Sequence, residues 1–171
     1  MLLINKATIK DARELSKLSV AAFIPAHGHS APEEVIDSYI SANFSEENFI
    51  KELSSPDFQY HLIYYKDELA GFSKVIFNYQ NEFVTDTNAT KMERLYLLEK
   101  FYNLGLGKEL LNFNIALAKQ NKQAGIWVFV WIENTKAITF YKKNGFKKVG
   151  NSDFVLSPTK SNPNHNLYLK F

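Results

Sequence analysis

The chain has 171 residues, with 20 Lys and Arg against 18 Asp and Glu, a formal net charge of +2 and 46% hydrophobic residues. That length suits one domain with one well-packed core, and the near-balanced charge argues against a dedicated nucleic-acid binder. With no cysteine there can be no disulfide, thiolate metal site or cysteine nucleophile. No apolar run approaches the roughly 20 residues of a membrane helix. The N-terminal stretch lacks a basic start, a long apolar segment and a small-residue cleavage site, so no signal peptide and a cytoplasmic location are expected.

In chain order, residues 2–8 suit a short first strand. Asp11-Ala-Arg-Glu14 has the spacing of a helix capping box and precedes Leu15, Leu18 and Ala22 on one helical face. Pro25 and Gly28 are expected to end that helix. Ser30-Ala-Pro-Glu33 repeats the start signal ahead of Val35, Ile36, Tyr39 and Ile40. Ser45-Glu46-Glu47 opens a third, short helix carrying Phe49, Ile50 and Leu53. From Gln59 the texture becomes β: Gln59–Tyr65 and Leu69–Asn78 read as a hairpin joined by Lys66-Asp67-Glu68. Residues 81–88 read as loop, and Ala89–Leu98 as another strand. A long helix is expected from about Gly105 to Lys122 on the spacing of Leu106, Leu110, Phe113 and Leu117. Ile126–Ile132 is apolar throughout, as in a central strand covered on both faces. Asn134 caps a later helix that stops at Gly145. Two last strands are expected at about 146–156 and 165–170. Helices alternating with strands in the second half imply a mixed α/β sheet.

Charge is unevenly spread along the chain. Between His27 and His61 seven acids (Glu33, Glu34, Asp37, Glu46, Glu47, Glu52, Asp57) face Lys51 alone, whereas between Lys100 and Lys148 nine lysines face Glu109 and Glu133. Such a split fits a solvated surface; it also fits a cationic ligand near one part and an anionic one near the other.

The sharpest local feature is Tyr102-Asn-Leu-Gly105-Leu-Gly107-Lys108, between an expected strand and an expected helix. Glycines there let backbone approach a ligand, and the free N–H groups of a helix start suit a phosphate. The same two glycines also fit an ordinary tight turn. A Walker loop needs glycine and Ser or Thr where this chain has Tyr102 and Glu109, and a dinucleotide fingerprint needs glycine at Leu110. Further on, Asn134-Thr-Lys-Ala137-Ile-Thr-Phe-Tyr141-Lys-Lys-Asn-Gly145-Phe146 follows the apolar strand. Asn134 and Tyr141 are two helical turns apart, so both can point along one face.

Together these segments resemble the GNAT acyl-CoA-dependent N-acyltransferases. Their signature is a strand, then Arg/Gln-x-x-Gly-x-Gly/Ala opening a helix, then an apolar strand and Asn-x-x-Ala-x-x-Phe-Tyr-x-x-x-Gly-Phe. Tyr102 departs from the pattern at the Arg/Gln position and loses a charge-assisted or amide hydrogen bond. The resemblance implies a single-domain α/β fold over 1–171, with a mixed, mostly antiparallel sheet of about six to seven strands flanked by helices. It also implies acetyl-CoA as co-substrate and transfer of its acetyl group directly to a small-molecule amine.

Residue by residue, it implies that main-chain groups of Leu95, Tyr96 and Leu97 pair with the pantetheine arm, and that the turn Tyr102, Asn103, Leu104, Gly105, Leu106, Gly107 and Lys108 holds the pyrophosphate. Asn134 would contact the pantetheine region and Tyr141 would act as general acid near the sulfur. Glu93 is the candidate base, with an ion pair to Arg94 or a lysine as its alternative role. The stretches Lys51–Ser54, Ile63–Tyr65, Leu69–Phe72 and Glu93–Tyr96 are similar to the bacterial spermine/spermidine N-acetyltransferase branch. That implies a polyamine acceptor, for which Glu33, Glu34 and Asp37 would form an acidic entrance; their alternative role is to complement a helix dipole. Another amine acceptor, or an acyl-CoA sensor without turnover, are the other readings. Similar proteins are frequently homodimers. No nucleic acid, membrane or metal partner is expected: His27 and His29 share a loop, His61 and His165 stand apart, and no carboxylate completes a ligand set.

Overall fold

The structure, a computed structural model, describes all 171 residues. The chain forms strands β1 (Leu2–Lys6), β2 (Phe58–Tyr65), β3 (Glu68–Ile76), β4 (Ala89–Leu97), β5 (Gly125–Trp131), β6 (Lys147–Ser157) and β7 (Lys160–Lys170) and helices α1 (Ala12–His27), α2 (Glu33–Asn43), α3 (Glu46–Leu53), α4 (Leu106–Gln120) and α5 (Thr135–Lys143), with all of α1–α3 between β1 and β2, α4 between β4 and β5, and α5 between β5 and β6. The strands hydrogen-bond in the order β1-β2-β3-β4-β5-β7-β6. Pairs β1–β2, β5–β7 and β6–β7 are antiparallel and β4–β5 is parallel, so the sheet is mixed, as expected. No helix is long and apolar enough to cross a membrane. The chain forms two compact units, Met1–Val75 with Arg94–Asn114 and Ile76–Glu93 with Ile115–Phe171.

In the first unit, three helices pack on strand side chains. Leu15, Leu18 and Phe23 of α1, Ile36 of α2 and Phe49 of α3 form one core with Phe44, Tyr60, Leu62 and Phe72. Ile63, Ala70, Phe101, Leu106 and Leu110 form another. Neighbouring residues Leu62 and Ile63 belong to different clusters, which the strand's two-residue alternation requires when both faces are covered. The α1 cap differs from the sequence expectation. Thr8, not Asp11, opens the segment: the Asp11 carboxylate accepts from the Thr8 N–H at 2.7 Å and its hydroxyl at 2.9 Å, and a 3₁₀ turn, Ile9–Asp11, precedes α1. Pro25 does not end the helix either. It sits in the last turn, the carbonyl it leaves without an N–H partner belongs to exposed Ala21, and the Gly28 N–H closes the helix on Ile24 O at 2.8 Å. The second helix starts without a side-chain cap, Pro32 holding the extended N-cap position. For α3 the cap is as read: Ser45 Oγ accepts from the Asn48 N–H at 3.2 Å.

The second unit is built around β5, buried along most of its length. Its β4 register covers Ala89–Lys91 against Gly125–Trp127. Residues 77–88 strap one region of this unit: Trp127 Nε1 donates to Tyr79 O at 2.9 Å, Asn81 Nδ2 to Asn166 Oδ1 at 2.9 Å, and Tyr168 OH to Asp86 Oδ2 at 2.8 Å. Gly125 is glycine because a Cβ there would meet the Tyr168 hydroxyl at 2.3 Å. The last strand begins five residues before the expected position, at Lys160. Its first half, Lys-Ser-Asn-Pro-Asn, reads as loop, yet Asn162, Asn164 and Asn166 are buried at alternate positions. Asn166 Nδ2 donates to Ser152 Oγ at 2.9 Å, so buried amides stand where apolar residues would mark a strand.

Candidate active site

The turn before α4 has the backbone a ligand cradle needs. Asn103 and Gly105 adopt left-handed φ values of 63° and 79°, which the Asn side chain tolerates and Gly meets without strain. The Gly105 carbonyl accepts from the N–H groups of Lys108 and Glu109 at 3.0 and 3.2 Å. The N–H groups of Gly105, Leu106 and Gly107 therefore precede the first helical hydrogen bond, at the positive end of a 15-residue helix. Nothing lies within 4 Å of where a Gly105 Cβ would stand, so the turn faces open space. Asn103, Leu104, Gly105 and Lys108 are exposed, while Leu106 is buried and anchors the turn. Tyr102 is half-buried, and its phenol is pushed above the ordinary value by burial and by Glu99. Its hydroxyl is thus a neutral hydrogen-bonding group in place of a charge.

The end of β4 belongs to the same unit and is packed against that turn. Leu95 and Leu97 pack on the cluster of Ile63, Phe101, Leu106 and Leu110, whereas Tyr96 faces the other core, edge-on to Phe72 at 5.5 Å. Gly71 fixes the spacing, because a Cβ there would stand 2.2 Å from Tyr96 O and 3.0 Å from Leu97 Cα. Beside them, Arg94 is buried, with its guanidinium 4.9 Å from the Phe44 ring centre and Nη1 3.4 Å from the Tyr60 hydroxyl. Tyr60 in turn donates to Glu52, which pairs with buried Lys74 at 2.8 Å. Glu52 is one of the seven acids between His27 and His61, and the fold turns it inward. Glu33, Glu34 and Asp37 remain exposed on α2, the first two in its first turn.

In the second unit, Asn134 Oδ1 caps α5 by accepting from the Ala137 N–H at 3.1 Å, leaving its Nδ2 as the donor it can offer elsewhere. Tyr141, two turns on, is 7% exposed and packs against Phe140 and Phe146 at 5.1 and 5.2 Å between ring centres. Burial raises its phenol above the ordinary value, so it keeps its proton across the neutral range. Glu93 forms an ion pair with Lys91, Oε1 to Nζ 3.0 Å; of the two partners weighed from sequence, the lysine is the one this contact supplies. Sequence reasoning missed the surroundings of Lys91, where Tyr79, Trp127 and Phe129 converge. The available signal was Lys-x-Glu on a strand, which puts both side chains on one face. No group of three or more His, Asp or Glu side chains is arranged to hold a metal ion.

Residues 15–146 match the acetyltransferase (GNAT) family model. The chain is 28% identical, over 86% of its length and 85% of the relative's, to an uncharacterised N-acetyltransferase in the pepI 3′ region of Lactobacillus delbrueckii subsp. lactis. It is 27% identical, over 90% of its length and 94% of the relative's, to spermidine N(1)-acetyltransferase of Thermoplasma acidophilum. Among solved structures it is similar to the PaiA N-acetyltransferase of Thermoplasma acidophilum in complex with coenzyme A. That match has a TM-score of 0.79 and 22% identity, and covers 100% of this chain and 99% of that one. The ribosomal-protein-S18-alanine N-acetyltransferase of Escherichia coli is also similar, with a TM-score of 0.71 and 16% identity over 99% and 94% of the two chains. These two likenesses speak for the fold; the family match covers most of the chain and includes the turn, the end of β4, Asn134 and Tyr141, and the chain therefore belongs to the acetyltransferase (GNAT) family and is an acyltransferase.

Proposed function

We propose that this protein, as one catalytic domain over residues 1–171, moves an acetyl group from acetyl-CoA directly to a primary amine, with a polyamine such as spermidine or spermine as acceptor. The turn at Asn103–Lys108 carries the reading. Its left-handed residues, its N–H groups ahead of the first helical bond and the open space at Gly105 suit a pyrophosphate without any side-chain charge at Tyr102. The backbone of Leu95–Leu97, held by Gly71, is proposed to bind the pantetheine arm as an added strand, and Asn134 Nδ2 to donate to it. The co-substrate supplies a thioester. Glu93 takes the proton that a protonated amine must lose, directly or through water. The Leu97 N–H stabilises negative charge on the carbonyl oxygen, and Tyr141 gives its proton to the departing sulfur. A polyamine acceptor is supported by the likeness to the Thermoplasma spermidine acetyltransferase and by the exposed Glu33, Glu34 and Asp37.

Thiol release from acetyl-CoA, measured with spermidine, spermine and unrelated amines at low and high salt, tests this. Saturable turnover with polyamines, weakened by salt, is expected. Turnover with another amine alone would discard the polyamine and keep the enzyme. Binding of acetyl-CoA without turnover on any amine would leave an acyl-CoA sensor.

A further inference from the structure

Lys91 sits in an arrangement that the proposed chemistry leaves unused. Its ammonium lies 4.7 Å from the ring centre of Tyr79 and 5.5 Å from those of Trp127 and Phe129. All three are within the roughly 6 Å over which a ring's negative face attracts a cation. The box is itself braced. Trp127 meets Phe129 edge-on at 5.0 Å and Tyr79 in a tilted contact at 5.8 Å, and its indole N–H is tied to the Tyr79 carbonyl. Only 13% of the Lys91 side chain is exposed. A surface lysine loses much rotamer freedom when it forms an ion pair, which is why such pairs contribute little. Here three rings already restrain the ammonium, and Glu93 Oε1 meets it at 3.0 Å.

We infer that Lys91 is a positioning residue for the base: the ring box fixes the ammonium, and the ammonium fixes the Glu93 carboxylate. The inference rests on the reading of Glu93 as the base. The pair also has a chemical consequence. A carboxylate without a partner would hold a protonated amine as an ion pair, stabilising the ground state instead of the reaction. With Lys91 balancing its charge, Glu93 holds an incoming ammonium less tightly, so less ground-state binding opposes the reaction.

The test compares Lys91→Met, Lys91→Arg, Glu93→Gln and the Lys91→Met/Glu93→Gln pair, using acetyl-CoA and the amine of the panel that releases most thiol. Methionine keeps the length and apolar stem inside the rings, so thermal melting of Lys91→Met should match the parent closely. Its kcat should fall about tenfold, a typical size for a coupled pair, with KM for acetyl-CoA unchanged. Arginine, which keeps the charge, should restore most of that loss. In the Glu93→Gln background, Lys91→Met should add nothing. An unchanged kcat in Lys91→Met, or an equal loss with and without Glu93, would overturn the positioning role. Full kcat in Glu93→Gln alone would remove the base reading itself, a failure visible without any Lys91 variant. No turnover with any amine would overturn both.

Discussion

Single residues carry the sharpest expectations, and two glycines show why position outweighs residue type. Gly105 stands at φ 79° above open space, so Gly105→Ala meets backbone strain alone, about 1 kcal/mol. Gly71 has ordinary φ, but its added methyl would collide with the Tyr96 carbonyl, a backbone atom that cannot rotate away. Gly71→Ala should therefore cost about 3 kcal/mol by urea denaturation and weaken acetyl-CoA binding by shifting Leu95–Leu97. Equal, small losses in the two variants would show that β4 gives way easily. For Tyr141, removal of the hydroxyl leaves a buried ring whose packing on Phe140 and Phe146 persists. Tyr141→Phe should lower kcat roughly 100-fold or more while changing the Kd of acetyl-CoA little. Unchanged turnover would exclude Tyr141 as the acid.

Among the elements, α3 is tied down by a buried polar network. At eight residues it is too short to hold itself as a helix. Phe49 buries its apolar side, and Glu52 ties it to β2 and β3 through Tyr60 and Lys74. Lys74 is 3% exposed and lies over the rings of Phe58 and Tyr60 at 4.4 and 5.6 Å. Glu52→Gln removes the carboxylate 2.8 Å from that ammonium, and a loss of up to about 3–5 kcal/mol is expected in a denaturation curve. Glu52→Leu combined with Lys74→Met removes both charges and should recover most of it. A loss below about 1 kcal/mol for Glu52→Gln would mean that the remaining contacts of Lys74, the two rings among them, hold it without Glu52. The strap of residues 77–88 shows the same principle in the second unit: it is held by polar contacts to Trp127, Asn166 and Tyr168, while from sequence 81–88 read as loop and Phe77 and Asn78 as the end of a strand that stops at Ile76.

For the whole molecule, stability should fall on mild acidification. Burial, and secondarily Lys6, lowers the His61 imidazole to about 4. Burial, and secondarily His29, lowers that of His27 to about 4. Between those values and the ordinary 6.5 the unfolded chain binds more protons than the folded one. The contribution of these two histidines is thus fully present above about 6.5, declines as pH falls toward 4, and levels off below. For His61, 5% exposed and packed on Phe113 at 4.7 Å, the contribution is roughly 3 kcal/mol at most. His61→Phe keeps a ring against Phe113 and should flatten this part of the curve; an unchanged slope would move the effect to other groups.

The sequence by itself determined the order of elements and the places where the backbone must turn. Hydrophobic period and turn chemistry act over a few residues, so Ser45, Asn134 and Gly145 could be read where they stand. Gly145 does close α5 at φ 89°, and the Lys66-Asp67 turn does have two left-handed residues. The signature turn before α4 was legible for the same reason. Where a signal depended on competing local choices it slipped, as at Thr8 and Pro25. Only the tertiary structure decided which polar residues go inside. Glu52, Lys74, Arg94 and the asparagines of β7 carry no local mark of burial, because desolvating a polar group is unfavourable until folding delivers its partner. Those partners come from distant positions: Asn81 reaches Asn166, and Tyr79, Trp127 and Phe129 meet at Lys91. The signature could therefore be read residue by residue, whereas the ring contacts of Lys91 and its ion pair with Glu93 exist only once the strands are paired.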